Sequence, residues 1–494
     1  MVREKRPDTF LDAVLAPGTR VPAPAYDRGK LVPSVVHMGV GGFHRAHQAL
    51  YFDELAAAGD LQWGVVGVGL RRPEMGRVLG DQYGLFTVVE RAAGHERARL
   101  VGSHTGYLFA PDDPGRVIEA LADGRTRLVT LTVTGDGYLV RPDGTFDESH
   151  PGVAHDLAHP DRPETMVGFL VEALRRRREH GRGPFTVLSC DNLPDSGTAA
   201  RVAVTSLARL RSDDLADWID ERVTFPSSMV DRITPETSPQ LRRLVAARFG
   251  LPDGWPVITE QFRQWVVEDR FCNGRPPLDR VGVLFVDDVA PYKLIKSRVL
   301  NGGHCALGYL GALLGYRTTD EAMGDPVLRR GLERMLSEEV APLLPDVPGM
   351  ELGAYVRTTL ERFANPAIPD SLSRLCRRGS TKMPSYLLQS LQDARRRGGP
   401  RRRLVIALAA WLRYLRGTDL AGRALELQDA MADDLRERAD RGGDDPRPLL
   451  GLRAVFGDLI DDQSVVDEVG AALRTLTGGG PDVLPRIGWG HDGD

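Results

Sequence analysis

The chain has 494 residues, of which 42% are apolar and 27% are charged, and its formal net charge at pH 7 is -4. This length predicts two domains, and the balanced charge excludes a general attraction to nucleic acid or to a membrane surface. No run of 18 apolar residues is present, and no apolar segment follows Met1 as a secretory signal would require. We therefore expect a soluble protein of the cytoplasm, without a membrane partner.

The cysteines of the chain are few and scattered. They are Cys190, Cys272, Cys305 and Cys376, and none has a second cysteine at the spacing of a metal-binding pair. We therefore expect neither a disulfide framework nor a zinc site of the Cys-x-x-Cys kind, and we predict no metal.

Strands and helices are predicted to alternate over the first 286 residues. The predicted elements are an irregular lead-in over 1–30, strands over 31–38, 63–68, 128–133, 185–188 and 283–286, and a helix over 47–58. Such alternation is typical of an α/β fold with a parallel, doubly wound sheet of the Rossmann type.

The segment Gly39-Val40-Gly41-Gly42-Phe43 joins the first predicted strand to the first predicted helix. Glycines let a backbone approach phosphate closely, and a helix N-terminus offers N–H groups and a partial positive charge. The segment therefore predicts a dinucleotide-binding loop, although His44 replaces the third glycine of the usual Gly-x-Gly-x-x-Gly pattern. A plain tight turn after a strand is the alternative interpretation.

The residues after the second predicted strand bear on the choice of cofactor. They read Arg71-Arg72-Pro73-Glu74. A carboxylate here binds the ribose hydroxyls of NAD, whereas arginines accept the 2′-phosphate of NADP. We expect NAD, bound through Glu74, and the two arginines leave NADP open.

From Pro291 onward the pattern becomes helical. Apolar residues recur with a period of 3.6 over 291–314, 367–376, 404–415 and 465–476. No strand is predicted after Val286. We therefore predict a dinucleotide-binding domain over 1–286 and a mainly α-helical C-terminal domain, which carries the substrate and catalytic groups, over 287–494.

Lysine is rare in this chain and marks where a base could lie. Of the 64 basic residues only five are lysine, namely Lys5, Lys30, Lys293, Lys296 and Lys382. Lysine can lose its proton near neutral pH, and arginine cannot. A chain that otherwise prefers arginine therefore draws attention to the lysines of its helical half.

Lys296 lies in a segment with a helix-start signature, since Asp288 can cap the helix and Pro291 suits its first turn. At about 100° per residue, Lys296, Asn301 and His304 project at about 0°, 140° and 80°, on one side of an α-helix. This set suits alcohol oxidation, because an amine can take the hydroxyl proton while an amide and an imidazole hold the oxygen. An ordinary amphipathic helix is the alternative, and the pair Gly302-Gly303 disfavours it by about 1 kcal/mol for each glycine.

Five segments together resemble the polyol-specific long-chain dehydrogenase/reductase family. They are GVGGFHRAHQA (39–49), SCDNLP (189–194), FPSSMVDRITP (225–235), the segment 296–304 and RLCRRGSTKMP (374–384). The resemblance implies an NAD-linked oxidoreductase that interconverts a polyol of the mannitol or arabinitol type and a 2-ketose. It also implies a Rossmann-type domain, a helical domain and catalysis without a metal in the cleft between them.

The resemblance also implies roles for single residues. Lys296 corresponds to the general base, and Asn192 and Asn301 correspond to a pair that binds the oxyanion. The positions that correspond to ligands of the polyol hydroxyls are Asp231, His304, Arg374 and Lys382. These residue types suit a substrate rich in hydroxyl groups.

Three positions depart from the family pattern. Gly135 and Lys293 replace glutamates on the family's proton path, and Arg378 replaces an aspartate. The added cations suit a carboxylate, so a ketohexuronate (fructuronate or tagaturonate) reductase is the first alternative and a sugar-phosphate dehydrogenase the second. A non-catalytic dinucleotide-binding sensor is the alternative from another class. We expect a monomer or a weak homo-oligomer.

Overall fold

This computed structural model describes residues 10–15, 20–480 and 482–490. Within these ranges, every named strand precedes residue 291. In chain order they are β1 (Pro33–Met38), β2 (Gly64–Gly69), β3 (Phe86–Ala92), β4 (His95–Val101), β5 (His104–Phe109), β6 (Leu128–Leu131), β7 (Thr186–Ser189), β8 (Ser228–Asp231), β9 (Val257–Glu260), β10 (Gln264–Glu268) and β11 (Leu284–Val286). The predicted Rossmann-type α/β N-terminal domain and mainly helical C-terminal domain are confirmed.

Five of these strands form a parallel sheet in the order β5-β2-β1-β6-β7. Counted along the chain, this is the order 3-2-1-4-5 of a doubly wound dinucleotide-binding fold. The direction of winding reverses between β1 and β6. Ligands of such folds bind where this reversal occurs, outside the carboxyl ends of the strands.

Side chains of the parallel sheet alternate between two buried faces. Val36, Val129 and Val187 enter one apolar cluster, and the residues directly before or after them, Val35, Leu128 and Leu188, enter another. A sheet covered on both faces produces continuous apolar runs. This is why the sequence predicted β1, β2, β6 and β7 within a residue or two of their observed bounds.

Two three-stranded sheets complete the first of the two compact units, which extends to Ala290 apart from the segment Ala92–Gly94. Their strand orders are β11-β10-β8 and β4-β3-β9. β10 runs parallel to β11 and antiparallel to β8, and β3 runs parallel to β9. Of these six strands, only β11 was predicted, and β5 of the main sheet was also missed. Charged residues such as Glu90, Arg91 and Arg97 interrupt β3 and β4, so no apolar run marked them.

The helices of the first unit connect and flank these strands. They are Phe10–Leu15, Gly42–Ala46, Gln48–Ala57, Glu74–Asp81, Pro114–Ala122, Pro151–Ala158, Met166–Glu179, Ser196–Arg211, Asp213–Arg222 and Pro239–Phe249. The lead-in over 1–30 was predicted to be irregular. That prediction is wrong for Phe10–Leu15, which is helical, and its first nine residues lie outside the described chain.

The second unit is built from helices. Its α-helices are Ala290–Lys296, Gly302–Leu314, Thr319–Met323, Pro326–Arg334, Leu352–Phe363, Leu372–Leu375, Gly379–Met383, Gln389–Arg397, Arg402–Tyr414, Ala432–Gly442, Arg447–Leu450, Arg453–Phe456, Gln463–Thr477 and Val483–Ile487. Three π-helical turns interrupt them, at Ser297–Asn301, Met335–Val340 and Pro384–Leu388. The helix predicted over 367–376 is reduced to Leu372–Leu375.

The compact units meet in the chain between Ala290 and Pro291, and the short segment Ala92–Gly94 belongs with the second unit. The boundary lies four residues beyond the predicted one, at the start of the helix that carries Lys296. Within the described part of the chain, no helix has the length and apolar character that crossing a bilayer requires.

Candidate active site

The glycine loop leaves β1 at the reversal point of the parallel sheet. Gly39 has φ +96°. A Cβ atom there would lie 2.2 Å from the carbonyl oxygen of Thr132, the residue that follows β6. Only glycine can occupy this position, because a side chain would collide with backbone and the conformation is left-handed.

The loop continues into the helix Gly42–Ala46, with Gly41 at its N-cap position. No side chain of the described residues caps the N–H groups of this first turn. N–H groups without a side-chain cap beside bare glycines fit a pyrophosphate, so Gly39, Val40, Gly41, Gly42 and Phe43 could hold the phosphates of a dinucleotide.

Glu74, the predicted ribose ligand, begins the helix Glu74–Asp81 that follows β2. Its side chain is exposed, as are those of Arg71 and Arg72. The carboxylate and the two guanidinium groups therefore follow β2, where the ribose of a dinucleotide lies in this fold.

Asn192 lies in the exposed loop after β7 and follows a residue that the sequence interpretation missed. The Asp191 carboxylate accepts hydrogen bonds from the N–H groups of Val133 (3.0 Å) and Thr134 (2.9 Å) and from the Tyr138 hydroxyl (2.7 Å). Asp191 therefore joins the loops that follow β6 and β7. Burial raises its pKa, and these three bonds act in the opposite direction.

Asp231 ends β8 and is buried. The next residue, Arg232, pairs with Glu90 and donates to the carbonyl oxygen of Glu260 at 3.0 Å. That pairing accounts for Arg232, and the role of Asp231 as a ligand of the polyol stays a prediction.

A buried histidine cluster below the glycine loop also escaped the sequence interpretation. His37 of β1 stacks on His44 of the first helix, with 3.4 Å between ring centroids, and His44 Nε2 lies 2.9 Å from His104 Nε2. All three side chains are fully buried, and burial is the main reason that their pKa values are lowered. The signal available in the sequence was polar residues inside apolar runs, such as His37 within β1.

In the second unit, the helix that carries Lys296 begins where predicted. The Asp288 carboxylate accepts a hydrogen bond from the N–H of Ala290 at 2.8 Å. Lys296 is the last residue of the helix Ala290–Lys296, and its exposed fraction is 7%.

The angles predicted for Lys296, Asn301 and His304 need correction, because a π-turn spans Ser297–Asn301. Such a turn holds one more residue than an α-turn, so it moves the later side chains back by about 100°. Asn301 then projects at about 40° from Lys296 and His304 at about -20°. The π-turn therefore aligns the three side chains more closely than a regular α-helix would.

The glycines that follow this turn are explained by close packing. A Cβ atom on Gly302 would lie 2.9 Å from the carbonyl oxygen of Tyr386, and one on Gly303 would lie 3.1 Å from the Phe363 ring. The same ring stacks on His304, with 4.2 Å between centroids. A second π-turn, Pro384–Leu388, thus approaches the helix beside the predicted site.

The segment before the π-turn Pro384–Leu388 carries four cations, Arg374, Arg377, Arg378 and Lys382. Lys382 is partly buried and donates to the carbonyl oxygen of Leu375 at 3.1 Å, while the exposed Arg374 forms a bidentate pair with Asp370. Burial lowers the pKa of Lys382, and the charges of Arg374 and Arg378 lower it further. Arg378 is exposed and has a left-handed backbone conformation, with φ +58°.

Within the described ranges, no group of three or more His, Cys, Asp or Glu side chains is arranged to hold a metal ion. The cysteines of these ranges are free thiols.

The order of the parallel strands and the bare glycine loop define a Rossmann-type dinucleotide-binding protein with an appended helical domain. Two family models match the sequence: "Mannitol dehydrogenase Rossmann domain" over residues 33–280 and "Mannitol dehydrogenase C-terminal domain" over 288–477. The chain therefore belongs to the mannitol dehydrogenase family, as the five motifs predicted.

Similar proteins match over nearly the whole chain. Mannitol dehydrogenase 2 of Saccharomyces cerevisiae is 42% identical over 468 residues, which cover 93% of each chain. Mannitol 2-dehydrogenase of Aspergillus fumigatus is 42% identical over 472 residues, 93% of this chain and 94% of the fungal one.

Two solved structures are similar throughout. One is Pseudomonas fluorescens mannitol 2-dehydrogenase in a ternary complex with NAD and D-mannitol (TM-score 0.85, 37% identity, 97% of this chain and 98% of that one). The other is a D-sorbitol dehydrogenase in substrate-free form (TM-score 0.86, 36% identity, 95% and 97%).

Proposed function

We propose that this protein is an NAD-dependent polyol dehydrogenase that oxidises a polyol of the mannitol or arabinitol type to a 2-ketose, with Lys296 as the general base. Its family and the NAD and D-mannitol bound by the Pseudomonas relative support the activity and the cofactor. When bound, NAD accepts the hydride from the carbinol carbon. The glycine loop and Glu74 are proposed to hold it.

The observation that carries the assignment of the base is the buried amine of Lys296, with Asn301 and His304 turned towards its side of the helix by the π-turn. In the proposed reaction Lys296 takes the hydroxyl proton, and the amides of Asn192 and Asn301 stabilise the developing negative charge on oxygen. Asp231, His304, Arg374 and Lys382 are proposed to bind the remaining hydroxyls. None of these steps requires a metal.

A substrate panel tests the proposed activity. Purified protein is assayed with mannitol, arabinitol and sorbitol against NAD, and with fructose and fructuronate against NADH, each repeated with the phosphorylated cofactor. We expect the highest kcat/KM for an uncharged polyol–ketose pair with NAD. Turnover with NADP alone would contradict the role of Glu74, and no turnover of any polyol or ketose would contradict the proposed activity.

A ketohexuronate reductase is the second candidate, and Arg378 favours it. Its exposed guanidinium adds a positive charge close enough to Lys382 to lower the pKa of that amine. A carboxylate substrate would be attracted by the added charge. A kcat/KM for fructuronate above that for fructose, reversed in an Arg378→Asp variant, would establish this candidate in place of the first.

Lys293 offers a prediction on the pH dependence of oxidation. It lies one helical turn before Lys296 and is half-buried. A second ammonium at this distance disfavours protonation of the base, and the active, neutral amine then forms at lower pH. In Lys293→Glu we expect the pH–rate curve for oxidation to move up by about one unit. A curve that stays in place or moves down would contradict this effect.

A further inference from the structure

We infer that His37, acting through the hydroxyl of Thr132, is a positioning residue that holds the glycine loop in the shape that binds the dinucleotide. This inference rests on the proposed function of that loop. It concerns residues below the loop, since neither side chain belongs to the glycine segment itself.

Four groups form a hydrogen-bonded chain beneath the loop. His37 Nδ1 lies 2.8 Å from the Thr130 hydroxyl, and His37 Nε2 lies 2.9 Å from the Thr132 hydroxyl. The Thr132 hydroxyl donates to the carbonyl oxygen of Gly39 at 2.8 Å. The chain ends on the residue whose left-handed conformation starts the glycine loop.

The direction of each bond follows from the charge of the ring. Burial holds the pKa of His37 well below its usual value, so the ring is neutral and has one N–H. Thr132 gives its single hydroxyl hydrogen to Gly39, and its oxygen must therefore accept from His37 Nε2–H. Nδ1 is then an acceptor for the Thr130 hydroxyl. Each of the three bonds along this path then has a defined donor and acceptor, and the path ends on the carbonyl of Gly39.

The ring of His37 is itself held in place. His44, from the first turn after the loop, stacks on it with an interplanar angle of 12°, and His104 of β5 contacts His44. The Gly39 carbonyl shares its peptide plane with the N–H of Val40, which donates to the carbonyl oxygen of Val68 at 3.4 Å, so both ends of the peptide that starts the loop are held. Because a dinucleotide is bound through loop N–H groups, fixing the Gly39 carbonyl sets the geometry of that binding.

The test measures the Kd of NADH by fluorescence in Thr132→Val, which removes the hydroxyl at nearly constant shape. We expect Kd, and the KM for NAD, to rise about three- to tenfold, which corresponds to one hydrogen bond. The value of kcat at saturating NAD and the KM for the polyol should change less than twofold, because the lost interaction is one of cofactor binding.

Two variants serve as controls. Thr132→Ser keeps the hydroxyl and should restore most of the affinity. Thr186→Val removes a buried threonine hydroxyl from the first residue of β7, whereas the glycine loop follows the last residue of β1. The Thr186 hydroxyl accepts a hydrogen bond from the N–H of Cys272 at 3.1 Å. It should leave the Kd of NADH unchanged, even if it lowers the melting temperature.

A double-mutant cycle separates positioning from general stability. If His37 acts through Thr132, adding His37→Leu to Thr132→Val should weaken NADH binding no further, whereas His37→Leu alone should weaken it. Equal Kd values for wild type and Thr132→Val, or additive effects in the double variant, would overturn the inference alone. A wild type that binds no NADH would overturn the proposed function as well.

Discussion

Replacing Lys296 with alanine is expected to lower kcat for polyol oxidation by about a thousandfold, the usual contribution of a positioned general base. The amine is buried at the end of a capped helix, so water cannot easily take its place. The loss should fall on kcat more than on the KM for either substrate, because the proton is transferred only in the transition state. Steady-state rates at saturating polyol and NAD measure it.

The matched control is Lys30→Ala, which removes an exposed lysine whose partner is Asp27 at 3.7 Å. That variant should keep wild-type turnover. NADH affinity of Lys296→Ala should also stay within about twofold of wild type, since the base is not proposed to hold the cofactor. Full turnover by Lys296→Ala would remove the base from the mechanism, and loss of both turnover and NADH binding would indicate a folding defect.

Acid is expected to destabilise the N-terminal unit well above the pH at which ion-paired carboxylates such as Glu172 are protonated. Four fully buried histidines, His37, His44, His47 and His104, have their pKa lowered by burial, to about 3 for the last two. The folded state therefore cannot take up these protons, whereas the unfolded chain does so below its ordinary pKa near 6.5. The stability that these groups contribute is present above pH 6.5 and is lost as the pH falls from there towards 3.

The size of this loss follows from linkage. At pH 5 His47 and His104 each shift the balance towards unfolding by about 2 kcal/mol, and His37 and His44 act in the same direction. The two histidines alone thus remove a large part of the stability of a typical domain. Buried carboxylates such as Glu172, whose pKa is lowered to about 2, lose their contribution only at lower pH. Urea unfolding at pH 7.5, 6 and 5, followed by tryptophan fluorescence, measures the effect.

Variants at buried and exposed histidines identify the source. His104→Gln should reduce the loss of stability between pH 7.5 and pH 5 by about a quarter, because one of four uncharged rings is removed. His159→Gln, at an exposed position, should leave the pH dependence as it is in the wild type. An identical fall in stability in wild type and His104→Gln would show that the buried histidines are not the cause.

The sequence predicted the parallel sheet well because both faces of that sheet are covered. Runs such as those in β1 and β6 are apolar at nearly every position, and their order along the chain alternates with helices. The smaller sheets were missed because their strands carry charges on one side and are recognised only by their partners. Local pattern predicts burial, whereas pairing of strands distant in the chain depends on the whole fold.

For the candidate site, the sequence predicted which residue types are present but not how their side chains are arranged in space. The glycine loop, Lys296, Asn301 and His304 were predicted from spacing and resemblance, whereas Asp191, Thr132 and the histidines near the loop were not. Those residues act through partners such as Val133 and Gly39, which are far from them in the sequence or hidden in the fold.

By itself, then, the amino-acid sequence determined that this chain alternates strands and helices, continues as helices, and belongs with the polyol dehydrogenases. These properties can be predicted from short segments, because the apolar residues of a strand or a helix recur at a fixed spacing and the family motifs are each a few residues long. Only the tertiary structure decided that a π-turn would rotate Asn301 and His304 towards Lys296, and that Gly302 would meet the backbone of Tyr386. The approach of Gly302 to Tyr386 joins segments about 85 residues apart, and a contact between such distant segments produces no periodic pattern in the sequence.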